Sequence, residues 1–335
     1  MKTIQLKKLY VAKPLFAMLF ALTLTFMSCD SNDDNDAANT PPTAQEFNAI
    51  RQIALDNLTQ NFQIDAANGT TTLTSEKGVE IDINANCLTL NGNPVTGLLD
   101  IEYVEIFDGG EMLVTNKTTM GALPNGDMAM LISGGAFYIN ATQNGQQLTL
   151  GCGMNLRIPA NLTAPDPSMI LWDGTINAAG DLIWEEQDGN TAGQNGVFLE
   201  GVGITPIYYA FFNSFGWTNV DRFSNHTGPK TQILAGVPAG YNYENSAVYL
   251  HYDGEGNALA KLDRYDEATE LFTEHYGQIP VGLACHIIFA SEENGQWRYA
   301  IKSVTISDNA VYSFTMSETI VGSEAQITAA INALP

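Results

Sequence analysis

Apolar and polar residues alternate with a period of two along most of this chain, and recur at helical spacing only in short stretches. The first helical stretch follows Pro42. Thr43-Ala-Gln-Glu46 has the form of a capping box, and Phe47, Ile50, Ala54, Leu58 and Phe62 then recur three or four residues apart. This predicts a helix over 43–64 that ends near Gln63. A second helix is expected within 319–335, where Ser323-Glu-Ala-Gln326 precedes Ile327, Ala330, Ile331 and Leu334. Lys261 to Tyr276 shows a weaker version of the same spacing through Leu262, Tyr265, Ala268, Leu271, Phe272 and Tyr276.

Between these stretches the pattern reads as strands. Asn-Gly pairs begin at 68, 91, 125, 144, 195 and 294, and Asp-Gly pairs at 108, 173, 188 and 253. Such pairs between alternating runs are the strongest short-range sign of a hairpin, because both residues accept positive φ. The clearest case is Ala136–Thr142, Asn144-Gly145, then Gln147–Leu150. Strands are also expected over 78–84, 98–107, 196–202, 206–213, 247–252, 283–290, 297–306 and 310–316. The fold class is therefore mostly β, as tandem β-sandwich-like domains with a short helix at each end. The proline-rich stretch Ile158–Pro167 suggests a boundary, with one domain over 65–160 and the other over 168–318.

The start of the chain has a different character. Lys2, Lys7, Lys8 and Lys13 precede an apolar run from Leu15 to Met27. That run suits a secretion signal and is short of the roughly 20 residues a membrane-spanning helix needs. Phe26-Met27-Ser28-Cys29 resembles the lipobox of bacterial lipoproteins. The resemblance implies a leader over 1–28, acyl chains on Cys29, and attachment to a membrane through them. Residues 29–42 are acidic and short-sided, and form a flexible spacer. Asp30, Asn32 and Asp34 start an EF-hand-like spacing, but Asn35 and Pro41 stand where Gly and Glu are needed.

The chain of 335 residues carries 14 Lys and Arg against 37 Asp and Glu. Without the four leader lysines, ten basic residues remain, so nucleic acid is not an expected partner. Cys87, Cys152 and Cys285 are left besides Cys29. Their apolar, strand-like surroundings favour three buried thiols over one disulfide and a free thiol.

Two stretches resemble a β-rich module of Bacteroidota-type surface lipoproteins. In the first half, Gly78-Val-Glu-Ile-Asp-Ile-Asn-Ala-Asn86 leads through Gly92-Asn-Pro-Val-Thr-Gly97 to Ile101–Ile106, and Ser133-Gly-Gly-Ala-Phe137 follows. These resemble ZU5-like or carboxypeptidase-regulatory-like sandwiches, with a departure at Asp82-Ile83-Asn84, where an Ile-Pro pair is expected. In the second half, Phe215-Gly-Trp-Thr-Asn-Val-Asp-Arg-Phe223 is similar to an element of the same proteins. The acidic run after Cys29 resembles their surface-export signal, which implies display on the outer membrane.

No catalytic set is visible. His226, His251, His275 and His286 stand in four separate contexts, and no Gly-x-Ser-x-Gly or His-Glu-x-x-His occurs. Cys285 and His286, like Glu185 and Glu186, are strand neighbours whose side chains diverge. Glu102 and Glu105 also face opposite sides, whereas Asp100 and Glu102 share one. Trp217, Asn219, Asp221 and Arg222 form the best ligand-binding candidate, with an aromatic face beside polar groups that can read sugar hydroxyls. Tyr208-Tyr209 and Tyr241-Asn-Tyr243 are further aromatic platforms. No cofactor is expected, although Asp253-Gly-Glu-Gly-Asn257 and Asp188-Gly-Asn190 offer oxygen ligands for calcium. These features favour a non-enzymatic surface module that binds or scaffolds a glycan or a protein. An extracellular hydrolase with an interdomain site, or a structural subunit of an envelope complex, are the alternatives.

Overall fold

A computed structural model describes residues 40–187 and 196–335. The expected leader, Cys29, nearly all of the expected spacer, and the calcium candidates Asp188 and Asn190 lie outside the described residues. No helix among the described residues is long and apolar enough to cross a membrane.

The fold is mostly β, built from two sandwiches that share a layer of helices. The first sandwich packs an eight-stranded sheet on a five-stranded one. Along the larger sheet lie Gln60–Asp65, Leu98–Ile106, Met128–Gln143, Gly216–Phe223, Ile170–Ile176, Leu182–Glu186 and Met120–Ala122, with Gln146–Gln147 paired beside the long strand. Met120–Ala122 also pairs with Met128–Gln143, so this part of the sheet closes on itself. The smaller sheet runs Val197–Glu200, Ile207–Phe212, Met154–Pro159, Glu80–Asn84 and Thr70–Thr74. Alternate residues of both sheets, such as Ile101, Phe137, Ile81, Leu156 and Tyr208, form the core between them.

The second sandwich packs a five-stranded sheet centred on Ser246–Tyr252, Ala284–Glu293 and Gln296–Thr305 against a four-stranded one containing Lys230–Gly236 and Leu271–Pro280. Ile233, Phe272, Leu250, Ile287 and Phe289 fill it. A third core joins the sandwiches. Helices α1 (Ala44–Leu58), α2 (Gly109–Thr115) and α3 (Glu324–Asn332) lie between the free face of the eight-stranded sheet and the free face of the five-stranded sheet. Phe47 of α1 meets Trp297 edge to face at 6.3 Å, while Trp172 and Trp184 cover the other side. Indoles buried on this scale dominate the packing energy of such a layer.

The β character and the terminal helices follow the sequence pattern, and four expectations need correction. The stretch 160–167 is a crossover rather than a domain boundary, since strands on both sides of it share both sheets of the first sandwich. The chain passes from one sandwich to the other between Phe223 and Lys230 instead. Asp108-Gly109 is not a hairpin turn: Asp108 caps α2, its Oδ1 accepting from Glu111 N at 2.9 Å. Gly110 is required there, because a Cβ would stand 2.6 Å from Thr328 O of α3. Lys261 to Tyr276 is extended, with Arg264–Asp266 paired to Leu271–Pro280 around an Asx turn in which Asp266 accepts from Ala268 N. Finally, α1 ends at Leu58, and Phe62 belongs to a strand that packs on the first core. The capping boxes at Thr43 and Ser323 both form.

Cys87 and Cys152 form a disulfide, with Cα atoms 5.6 Å apart, and Cys285 is a buried free thiol. The sequence surroundings favour three free thiols, but spacing along a chain does not determine which cysteines meet. The link closes a loop with a sequence separation of 65. A loop of that size is worth about 4 kcal/mol in the chain-entropy account. Replacing both cysteines by Ala is therefore expected to lower unfolding free energy by about 2–5 kcal/mol, read from denaturant melts. Burial pushes the Cys285 thiol up to about 12, aided by the nearby Asp253 charge. Cys285 is expected to resist a thiol reagent at neutral pH in the folded protein and to react fully once the protein is unfolded.

Candidate functional site

The four residues of the predicted ligand element do not act together. Trp217 is half-buried and lies opposite Tyr138 on the neighbouring strand, with ring centroids 5.4 Å apart. Asn219 and Asp221 flank a bulge and are fully buried. Asn219 Nδ2 donates to Asp221 Oδ2 at 2.7 Å, and Trp172 Nε1 donates to the Asp221 carbonyl at 3.0 Å. Burial holds the Asp221 carboxyl well above the usual range, against the pull of the Ser133 hydroxyl and the Gly134 N–H. A protonated carboxyl gains a donor that a carboxylate lacks, which matters where Asn219 Oδ1 and Asp221 Oδ1 are both buried without a partner. Arg222 turns away and its Nε donates to Asp166 Oδ2 at 2.6 Å. Asn219, Asp221 and Arg222 thus lock the sheet, and only Trp217 faces open space.

Trp217 stands where it does because Gly174 lies opposite it across the strand pair. A Cβ on Gly174 would sit 2.6 Å from both the Trp217 Cβ and the Trp184 ring. The indole lines a depression of about 390 Å³ with Tyr138, Glu102, Ile176 and Lys117. On one side this runs into a second depression of about 370 Å³ lined by Arg51, Asn116, Lys117 and Gly180, with Gln52, Leu55 and Lys117 common to both. On the other side Tyr138 also borders a third, of about 460 Å³, with Asn140, Gln147, Asn213 and Phe215. The first two form one cleft with α1 as a wall and the helix-side face of the eight-stranded sheet as its floor, and the third adjoins it at Tyr138.

The basic end of the cleft is anchored by a buried polar chain. The Arg51 guanidinium lies 3.8 Å over the Phe47 ring, and its Nη2 donates to Tyr249 Oη at 3.0 Å. Tyr249 Oη donates to Asn116 Oδ1 at 3.0 Å, Asn116 Nδ2 donates to Asp181 Oδ1 at 3.1 Å, and Asp181 pairs with Lys261. Asn116 can hold this place because it ends α2 in the left-handed region at φ 55°, which Asn tolerates. Lys117 follows, its Nζ 5.6 Å over the Trp217 ring. Burial, reinforced by the Arg51 charge, lowers the Lys117 ammonium to about 8.

The other sequence candidates lie apart from this cleft. Cys285 is in the core of the second sandwich, whereas His286 Nδ1 meets Asp253 Oδ1 at 2.7 Å, so the pair diverges as strand neighbours should. Asp253 and Asn257 go to different partners, Asn257 bonding the Ser133 carbonyl, and no group of three or more His, Cys, Asp or Glu side chains converges among the described residues. His226, His251 and His275 are scattered against Tyr252, Pro335 and Asp263. Glu105 is buried among Ser75, Tyr103 and Gln60, on the face opposite Glu102. Glu185 and Glu186 are exposed. Tyr208 and Tyr241 are core residues, and Tyr243 is exposed beside Tyr265. Comparison with family models, curated proteins and solved structures found no match.

Lys117 gives a pH signature. Its folded value of about 8 lies below the ordinary 10.5, so the unfolded chain binds the extra proton between those limits. Stability contributed by this residue therefore rises with pH from about 8 to 10.5 and is flat below. Denaturant melts across this window are expected to show a smaller rise in Lys117→Met than in the unaltered protein.

Proposed function

We propose that this chain is a lipid-anchored outer-membrane protein displayed at the cell surface, and that it acts as a non-enzymatic module binding a glycan along the Trp217 cleft. The observation that carries the reading is the half-exposed Trp217–Tyr138 pair, with a further depression on the other side of Tyr138 lined by Asn140, Gln147 and Asn213. Aromatic faces cover the apolar sides of sugar rings, while amides and carboxylates take their hydroxyls. The tether rests on the lipobox-like sequence at Cys29 and on the acidic spacer after it. The Cys87–Cys152 disulfide supports an exported location, since such bonds persist outside the reducing cytosol. The hydrolase alternative draws its support from Glu102 and Asp56, which line the same depression.

The mature protein is expected to bind oligosaccharides on a glycan array, with Trp217→Ala and Tyr138→Ala each weakening binding about tenfold, the loss of one good stacking contact. Near-unchanged melting temperatures would separate this from unfolding. Binding without release of shorter sugars supports the module; release of shorter sugars that stops in Glu102→Gln would mean a hydrolase. No bound glycan at any position of the array would overturn the reading.

A further inference from the structure

Positive charge is scarce in this protein, and it is unevenly spent. Among the described residues Lys77, Arg157, Arg222, Lys261, Arg298 and Lys302 are each paired with a carboxylate. Four have no such partner: Arg51, Lys117, Lys230 and Arg264. Lys230 and Arg264 lie exposed on the second sandwich. Arg51 and Lys117 instead line one and the same depression of about 370 Å³, at the end of the Trp217 cleft. Lys261 lies close enough to repel Lys117, and Asp181 is the carboxylate set among these three cations.

Two further features mark this end as short of an anion. Arg51 Nε is buried and has no hydrogen-bond partner, although Nη2 of the same guanidinium is fixed by Tyr249. A buried N–H on a charged group is costly to leave unmet. Lys117 keeps its ammonium beside the like charge of Arg51, and burial together with that charge lowers its proton affinity. At the Trp217 end, by contrast, Glu102 and Asp56 supply acceptors. The cleft thus has acceptors and aromatic faces at one end and Arg51 at the other, with Lys117 lining both depressions where they meet.

Building on the glycan reading above, we propose that the ligand is an acidic oligosaccharide, with neutral ring positions over Trp217 and Tyr138 and a carboxylate or sulfate group held by Arg51 and Lys117. Guanidinium and ammonium groups in a partly desolvated pocket suit this task, because charge-assisted hydrogen bonds to an anion are about twice as strong as neutral ones. Glu102 and Asp56 would repel an acid group at the other end, which fixes the direction in which the chain lies.

The test uses the full mature protein in detergent and an array of matched pairs: oligouronates, their carboxyl-reduced neutral counterparts, and sulfated and desulfated forms of one backbone. The expected result is at least a tenfold preference for one acidic class over its neutral partner. That preference should fall toward unity in Lys117→Met and in Arg51→Gln, weaken with added salt, and decline as pH rises through about 8. Lys117→Met keeps the test usable if Arg51→Gln fails to fold, since Arg51 also holds Tyr249. Binding of neutral and acidic partners with equal affinity, or a preference untouched by Lys117→Met, would overturn the acidic assignment and leave the glycan reading standing. Absence of binding to every glycan would overturn both. Whether the uronate or the sulfate arm responds identifies the source of the charge.

Discussion

Both faces of the eight-stranded sheet carry large apolar side chains, so the sheet cannot leave either side in water. One face is covered by its partner sheet, in the ordinary manner of a sandwich. The other carries Val104, Ile106, Leu131, Trp172 and Trp184, and nothing in the first sandwich can cover them. Three short helices do so, and they in turn present Phe47, Ile50, Ile327 and Ile331 to the second sandwich. A helix of this length has little stability of its own. Each layer is therefore stable only because the next one is present, and the buried chain from Arg51 through Tyr249 and Asn116 to Asp181 fixes how the layers align.

The cleft is a by-product of this stacking. Helix α1 leaves Tyr138 and Trp217 on the same face of the sheet only partly covered, and there the apolar face comes into the open. The same helix brings Arg51 and Gln52 to the rim. Trp217, Tyr138, Glu102 and Arg51 sit on strands and α1, while Lys117 comes from the connection after α2.

How much of this was legible can be judged residue by residue. The hairpin at Asn144-Gly145 formed as read, because both residues take the positive φ that a tight turn demands. Asp108-Gly109 is an Asp-Gly pair yet caps a helix, because Asp108 accepts from Glu111 N and the following Gly110 lets that helix lie against α3, more than two hundred positions away. The crossover at 160–167 carries the prolines of a linker, yet strand pairing across it is invisible to local pattern. Trp217 stood out within its segment. Arg51, Lys117 and Tyr138 did not, for each is ordinary in its own stretch and gains meaning only beside the others. Asn219 and Asp221 looked like ligand groups for the reason that they are polar, and they are polar because a bulge buries them against one another.

The contact between Phe47 and Trp297 has a bearing on how the molecule comes into being. The first helix among the described residues rests in part on a strand about 250 residues further on, so that part of its contact forms only after most of the chain has been made. Until then the side of the helical layer that faces the second sandwich is left open. Long-range pairing of this kind slows folding and leaves sticky surfaces waiting. The chain therefore has a stretch of its early life in which it depends on being kept apart from its neighbours, and its large excess of negative charge serves it then as well as after.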